Sequence, residues 1–272
     1  MMRRSYAWAT LAVCAAALSA VGCTRMPGYP KPGPEVVRPD EVKDFATLYA
    51  QNCAACHGKN GTGGAALQLN NPAYLAIAGE VNLRTVTAKG VKGTLMPAFA
   101  QSAGGRLTDE QIDALAKGML AGWARPAEFA RVTLPPYADS TPGNAANGQK
   151  VFVEACARCH GADGTGAKAA NGQSLPEGAT KDTILDHSAL ALVSNQSLRS
   201  LILAGRPDEN VPDWRSYITG PNARALTSQD VNDLVAWLAA HREDGGSQPV
   251  QAGSGQASPQ TTAKPAGMKE AK

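Results

Sequence analysis

The sequence contains the motif C-x-x-C-H twice, and no other feature constrains the fold of this chain as strongly. The first copy is Cys53-Ala54-Ala55-Cys56-His57 and the second is Cys156-Ala157-Arg158-Cys159-His160. Two thiols three residues apart on one helical turn can each form a thioether to a haem vinyl group, and the adjacent histidine then lies under the iron. The pattern predicts two covalently bound haem c groups, attached through Cys53, Cys56, Cys156 and Cys159, with His57 and His160 as iron ligands.

Other uses of these four cysteines fit the spacing less well. A zinc site would need its two pairs much closer together than Cys56 and Cys156, which are 100 residues apart. A thioredoxin-type redox motif would need a βαβ context, and the sequence shows none. Disulfides within each pair would leave unexplained that two of the four histidines directly follow a C-x-x-C.

The N-terminus has the pattern of an export signal. Arg3 and Arg4 precede a short apolar run that ends in Leu18-Ser19-Ala20-Val21-Gly22-Cys23. This ending resembles a bacterial lipobox, in which cleavage leaves Cys23 as the lipid-modified first residue. An ordinary secretory signal and an uncleaved anchor are the alternatives. All three place the folded part outside the cytoplasm, and we expect the periplasmic side of a bacterial membrane, with the protein held by a lipid anchor.

Segments rich in proline or glycine divide the rest of the chain. We expect a signal peptide at 1–22, a Pro-rich tether at 23–39, a first domain at 40–130, a linker at 131–142, a second domain at 143–242 and a disordered tail at 243–272. Downstream of the N-terminal run, no stretch approaches the roughly 20 apolar residues of a membrane helix. A net charge of +3 gives no argument for nucleic-acid binding.

With these motifs in place, the sequence resembles the class I c-type cytochromes in a tandem, dihaem form. The resemblance covers Asp40 to about Ala127 and Gly143 to about Arg242. It implies an all-α fold of two small domains. In each, an N-terminal helix carries the haem motif, a C-terminal helix packs across it, and a loop from the far side supplies a methionine to the iron.

An internal repeat supports the two-domain interpretation. The pair Leu83-Arg84 recurs as Leu198-Arg199 at an offset of 115 residues, and Gly90 and Gly205 keep that offset. Thr108 and Thr227 are predicted N-caps of the last helices. Gln111 would complete a capping box in the first, and Asp230 would favour the helix dipole in the second.

The resemblance identifies Met96 as the sixth iron ligand of the first haem, because Met96-Pro97 lies where such cytochromes have their ligand loop. Met119, on the last helix, is predicted to pack in the core. The same offset of 115 places Val211-Pro212 at the corresponding position of the second domain, so the second haem lacks this methionine. The candidates for its sixth ligand are His187, then Lys168, Lys181 or Asn210; the alternative is an open or water-bound iron. His241 is predicted to be a solvated residue at a helix C-terminus.

These features favour an electron carrier. A haem with histidine and methionine ligands excludes substrate, and the thioether raises its reduction potential, so we expect electrons to pass from the second haem to the first. The expected partner is a redox protein or a membrane respiratory complex. The alternative is a haem enzyme or gas-binding protein that uses an open position on the second haem. No catalytic residue can be assigned, and catalysis beyond electron transfer is not expected. A third hypothesis gives the second domain a mainly structural role.

Overall fold

The computed structural model describes residues 33, 37–168, 174–175, 179–180 and 182–242. Within these residues the protein is helical and has no β-strand, only three isolated bridges. In chain order the α-helices are α1 (Phe45–Asn52), α2 (Ala54–His57), α3 (Pro72–Lys89), α4 (Asp109–Trp123), α5 (Pro126–Phe129), α6 (Ala145–Ala155), α7 (Ala157–His160), α8 (His187–Ala191), α9 (Asn195–Ala204) and α10 (Ser228–Ala239). Short 3-10 turns occupy Pro39–Glu41, Gln101–Ala103, Pro207–Glu209 and Gly220–Asn222. The all-α fold expected from the sequence is confirmed.

Each domain places its last helix across the helix that precedes its haem motif. In the first domain α4 packs on α1 and α3, and in the second α10 packs on α6 and α9. The first core is built around Leu48, Leu75, Ile112 and Leu115, and the second around Phe152, Leu203, Val231 and Leu234. Apolar residues at helical spacing therefore face one another across each crossing, as amphipathic periodicity predicts.

The middle helices show the same repeat. Gly79 lies inside α3 with φ +60°, outside the helical region, and divides it into two segments. In the second domain α8 and α9 are separate helices, and α8 begins at His187 as α3 begins at Pro72, 115 residues earlier. The offset derived from the sequence thus aligns whole elements.

Both predicted N-caps are present. The Thr108 side chain accepts from the Gln111 N–H, and the Gln111 side chain accepts in return from the Thr108 N–H. Thr227 makes the same reciprocal pair with Asp230, whose carboxylate accepts from the Thr227 N–H at 2.8 Å. Asp230 therefore completes a capping box in addition to its favourable charge at the positive end of α10.

Each helix crossing packs a glycine against an aromatic residue, but the two residue types are on opposite helices in the two domains. In the first domain Phe45 of α1 lies against Gly118 of α4, where a Cβ would overlap the ring. In the second domain Gly148 of α6 lies against Trp237 of α10, so the bulky residue is on the other helix. A Cβ on Gly148 would overlap the Asp233 carbonyl oxygen and would lie 2.8 Å from the Trp237 Cβ. This contact requires glycine at position 148.

We expect Gly148→Ala to lower the free energy of unfolding by about 1–3 kcal/mol, because the crossing helices must separate to admit the methyl group. Gly122→Ala is the control, since a Cβ there meets nothing within 4 Å. That change should raise stability by about 0.5–1 kcal/mol through helix propensity. Denaturant unfolding of the holo-protein measures both, and a neutral Gly148→Ala would contradict the close crossing.

A buried arginine holds the linker to the second domain. Arg199 is 3 % exposed, and it donates to the Pro136 and Tyr137 carbonyls, to Asn232 Oδ1 and to the Ser228 hydroxyl. Its repeat partner Arg84 pairs with Asp113 between α3 and α4. The Leu-Arg repeat thus ties a middle helix to a last helix in both domains, and in the second it also fixes the linker.

Several expectations concern residues outside the described part of the chain. They are the signal peptide at 1–22, Cys23 and most of the tether at 23–39, and the tail at 243–272. Among the described helices, none is long and apolar enough to span a bilayer.

Candidate haem sites

The first C-x-x-C-H motif forms a compact turn at the end of α1. The Cys53 carbonyl accepts from the N–H groups of both Cys56 and His57, at 3.2 and 3.0 Å. This turn places Cys53, the N-cap residue of α2, next to Cys56 and His57 on that helix. Both thiols are free, with Cys56 exposed and Cys53 half-buried. Burial raises the pKa of the Cys53 thiol to about 11, so this thiol is protonated at neutral pH.

The His57 ring is oriented by a backbone carbonyl. His57 is 9 % exposed, and its Nδ1 lies 2.7 Å from the Leu67 carbonyl oxygen. Since a carbonyl only accepts, Nδ1 carries the proton and Nε2 keeps its lone pair for a metal. Burial lowers the His57 pKa, which favours the neutral, ligating form. The free thiols and this imidazole fit a covalently attached haem.

The second motif repeats this geometry. The Cys156 carbonyl accepts from the Cys159 and His160 N–H groups at 3.1 and 3.0 Å, and all four motif cysteines are free. Burial raises the pKa of the Cys156 thiol to about 12 and lowers that of His160. This donor set fits a second haem in the same way.

The histidine-orienting segment differs between the two sites. In the first domain the Cys56 carbonyl accepts from the Ala66 N–H, next to Leu67; in the second the Cys159 carbonyl accepts from the Thr180 N–H. The residue after Thr180 is Lys181, which is not described. His160 Nδ1 is buried and has no hydrogen-bond partner among the described residues.

The loops that carry Met96 and Val211 share a backbone hydrogen bond at equivalent positions. The Val91 N–H donates to the Met96 carbonyl at 3.1 Å, and the Arg206 N–H donates to the Val211 carbonyl at 2.9 Å. Gly90 and Gly205 both have positive φ, +68° and +65°, and a Cβ on either would collide with its loop. Val211 is therefore the structural counterpart of Met96. Because valine has no donor atom, its side chain cannot bind iron.

The other sixth-ligand candidates of the second site occupy different positions. His187 is exposed as the first residue of α8, and Lys168 and Asn210 are exposed in loops. Asn210 is a left-handed residue with φ +60°. Lys181 lies outside the described residues. Ligation by any of them, like ligation by Met96, stays a prediction.

Two remaining predictions have clear outcomes. Met119 is 2 % exposed and packs in the first core, as expected. His241 lies at the helix C-terminus as predicted, and its Nδ1 lies 2.8 Å from the Trp237 carbonyl oxygen in the last turn. It is half-buried and not solvated, because its ring centroid lies 5.0 Å from that of Trp237. The physical reason is that Trp237, at the end of α10, provides both a ring to pack on and an unpaired carbonyl.

Sequence reasoning missed the groups that support the first site. Leu67 acts through its carbonyl, which leaves no side-chain signal. Tyr49 is 3 % exposed and donates its hydroxyl to the Gly58 carbonyl at 2.9 Å, which holds the segment directly after His57. The sequence alone could not show this contact, because it joins a side chain of α1 to a carbonyl nine residues later.

Comparison with known proteins agrees with this geometry. A family model described as cytochrome c matches residues 145–242, and one described as cytochrome C oxidase, cbb3-type, subunit III matches residues 40–117. The cbb3-type cytochrome c oxidase subunit FixP of Sinorhizobium medicae (strain WSM419) is 30 % identical over 146 residues. That match covers 48 % of this chain and 45 % of the relative, so the chain spans less than half of the relative's length.

One solved structure resembles the chain at low similarity. It is the Kuenenia stuttgartiensis reducing HAO-like protein complex Kustc0457/Kustc0458, at 17 % identity and a TM-score of 0.41, covering 76 % of this chain and 100 % of that one. This TM-score is too low for the likeness to bear on fold or function. The two family matches, the FixP relative and the two C-x-x-C-H sites agree with one another. The chain belongs to the class I c-type cytochromes, electron-transfer proteins with covalently bound haem c, and carries two domains of that family.

Proposed function

We propose that this chain is a dihaem cytochrome that carries electrons at the periplasmic face of a bacterial membrane, as a tethered relay or as the haem subunit of a respiratory or dehydrogenase complex. The observation that carries the proposal is the repetition of one haem-binding geometry in two domains of a single chain. Each domain has two free thiols on one helical turn, next to a histidine whose pKa is lowered by burial.

The two sites differ in the loop residue that would supply the sixth iron ligand. Bound haem supplies one-electron redox chemistry at each site. Met96 would add a soft thioether that raises the reduction potential of the first site, whereas Val211 adds no ligand. Electrons then pass from the second site to the first, and the first site delivers them to the partner.

A potentiometric titration of the holo-protein tests this order. We expect two one-electron steps of similar amplitude, with the haem bound through Cys53 and Cys56 at the higher potential, because only that site would have a methionine ligand on its iron. Met96→His should lower the higher of the two reduction potentials and leave the other potential unchanged. If the Met96 site has the lower potential in the wild type, the proposed direction of transfer is wrong.

The attachment to the membrane rests on Cys23 and on the Pro-rich segment that follows it. A lipid on Cys23 would hold both domains near a membrane complex and raise their effective concentration there. We expect the wild-type protein in the membrane fraction and Cys23→Ser in the soluble periplasmic fraction, since the acyl chains provide the anchoring energy. Retention of the Cys23→Ser variant in the membrane would indicate an uncleaved anchor. Wild-type protein in the soluble fraction would indicate an ordinary secretory signal peptide.

A membrane oxidase is the partner that the comparisons favour. The relative that matches this chain is described as a subunit of a cbb3-type cytochrome c oxidase, and residues 40–117 match subunit III of that oxidase type. Purification of tagged protein from gently solubilised membranes tests this: an oxidase that co-purifies and accepts electrons from the chain supports the subunit role.

A second function depends on the valine at position 211. Without a methionine ligand, the second haem could keep an open position for a small ligand such as carbon monoxide or peroxide. Optical titration of the reduced protein with carbon monoxide tests whether this position is open, which the gas-binding function requires.

A further inference from the structure

A buried asparagine of the first domain joins the two domains at the ends of two helices. Asn71 is 1 % exposed, and its Oδ1 caps α3 by accepting from the Ala73 and Tyr74 N–H groups at 2.9 and 3.1 Å. Its Nδ2 donates across the domain interface to the Ala204 and Gly205 carbonyls at 3.0 and 3.3 Å. The Asn71 side chain thus pairs with N–H groups at the start of α3 and with carbonyl groups at the end of α9, where the helices themselves provide no partner.

The carbonyls that Asn71 holds lie at the base of the loop that carries Val211. Gly205 is the residue after α9, and its Cα approaches the Val211 and Pro212 carbonyls so closely that a Cβ would collide with them. Arg206 then pairs with Val211 through two backbone hydrogen bonds, each 2.9 Å long. A shift of the Gly205 peptide would therefore move the whole loop.

A second contact reaches the same loop from the first haem site. Thr62 belongs to the segment that follows His57, and its hydroxyl donates to Asp208 Oδ2 at 3.3 Å. Asp208 lies in the turn between Arg206 and Val211. These two contacts, together with the stacking of Phe129 on Trp214 at a centroid distance of 6.1 Å, connect the first domain to the segment that carries Val211, the counterpart of Met96.

The repeat shows that the capping role does not require asparagine. Asp186 holds the position of Asn71 in the second domain, and its Oδ1 caps α8 by accepting from the Ala189 N–H at 2.7 Å. An aspartate caps a helix as well as an asparagine does but has no N–H to donate. Only the donation to Ala204 and Gly205 requires the amide at position 71.

We propose that the first domain sets the geometry of the sixth-ligand side of the second haem site, with Asn71 as the positioning residue and Thr62 as its support. The inference rests on the proposed function, since it requires a haem at the second motif. It makes the two sites interdependent: the first domain determines how closely the Val211 loop approaches the second iron.

The test compares Asn71→Asp with Asp186→Asn in the full-length holo-protein. Each change exchanges the same two residue types at the same helix position, and both variants keep the helix cap. Hydrogen exchange of residues 205–212 and the ferric electron paramagnetic resonance spectrum of the second haem are measured for both. The haem content of the wild type is determined first, so that a missing second haem is recognised as failure of the proposed function.

We expect Asn71→Asp to speed amide exchange in 205–212 by about tenfold, because two buried carbonyls lose their donor. The spectrum of the second haem should change, and that of the first should not. Asp186→Asn should leave both unchanged. An unaltered second-haem spectrum in Asn71→Asp would overturn the proposal even if exchange rises, since Asn71 would then only hold the domains together. Equal effects in both variants would overturn it as well.

Discussion

Replacing Cys156 and Cys159 with serine should halve the covalently bound haem of the chain and leave the first site spectroscopically intact. A serine hydroxyl does not add to a haem vinyl group, so both thioethers of the second site are lost while His160 remains. The first core includes Leu48 and Tyr49 but none of the second motif, so the first domain keeps its packing. The measurement is the pyridine haemochrome absorbance per mole of chain.

The matched variant replaces Cys53 and Cys56 with serine. It should also halve the haem content. In the potentiometric titration it should remove the higher-potential step, whereas the Cys156→Ser, Cys159→Ser double variant should remove the lower-potential step. An unchanged haem content in either double variant would show that the corresponding motif binds no haem.

The second large effect concerns Val211. In dithionite-reduced wild-type protein we expect about half of the haem to bind carbon monoxide, because Met96 closes the first iron and no thioether closes the second. Val211→Met should abolish this binding and raise the lower reduction potential. The loop can present the new side chain, since the Val211 carbonyl is held by the Arg206 N–H as the Met96 carbonyl is held by the Val91 N–H.

Met96→Ala is the converse variant. It should open the first iron, so that nearly all of the haem binds carbon monoxide. If the wild type binds none, a side chain such as His187 closes the second site. In that case His187→Ala, and not Asp186→Asn, should open it.

The elements that recur in both domains could be predicted from the sequence because the repeat can be read directly. The offset of 115 residues predicted that Val211 replaces Met96, and the matching backbone hydrogen bonds show that the two residues occupy equivalent positions. The caps at Thr108 and Thr227 could also be predicted from the sequence, because a capping box involves residues only three positions apart.

Contacts between distant residues could not be predicted in this way. The sequence showed Arg199 as part of a repeated pair, but not that its guanidinium holds the linker carbonyls of Pro136 and Tyr137. Asn71 was recognisable only as a polar residue before a proline, and its partners lie 133 and 134 residues away. Such pairings depend on how the two domains dock, which local periodicity does not encode.

The central claim is that both motifs carry a haem, and intact-mass spectrometry of the purified chain tests it most directly. We expect the mass of the mature chain that begins at Cys23, with its lipid, plus two haem groups. Peptide mapping should place one haem on Cys53 and Cys56 and the other on Cys156 and Cys159. A mass corresponding to one haem, or to none, would show that at least one motif does not bind haem.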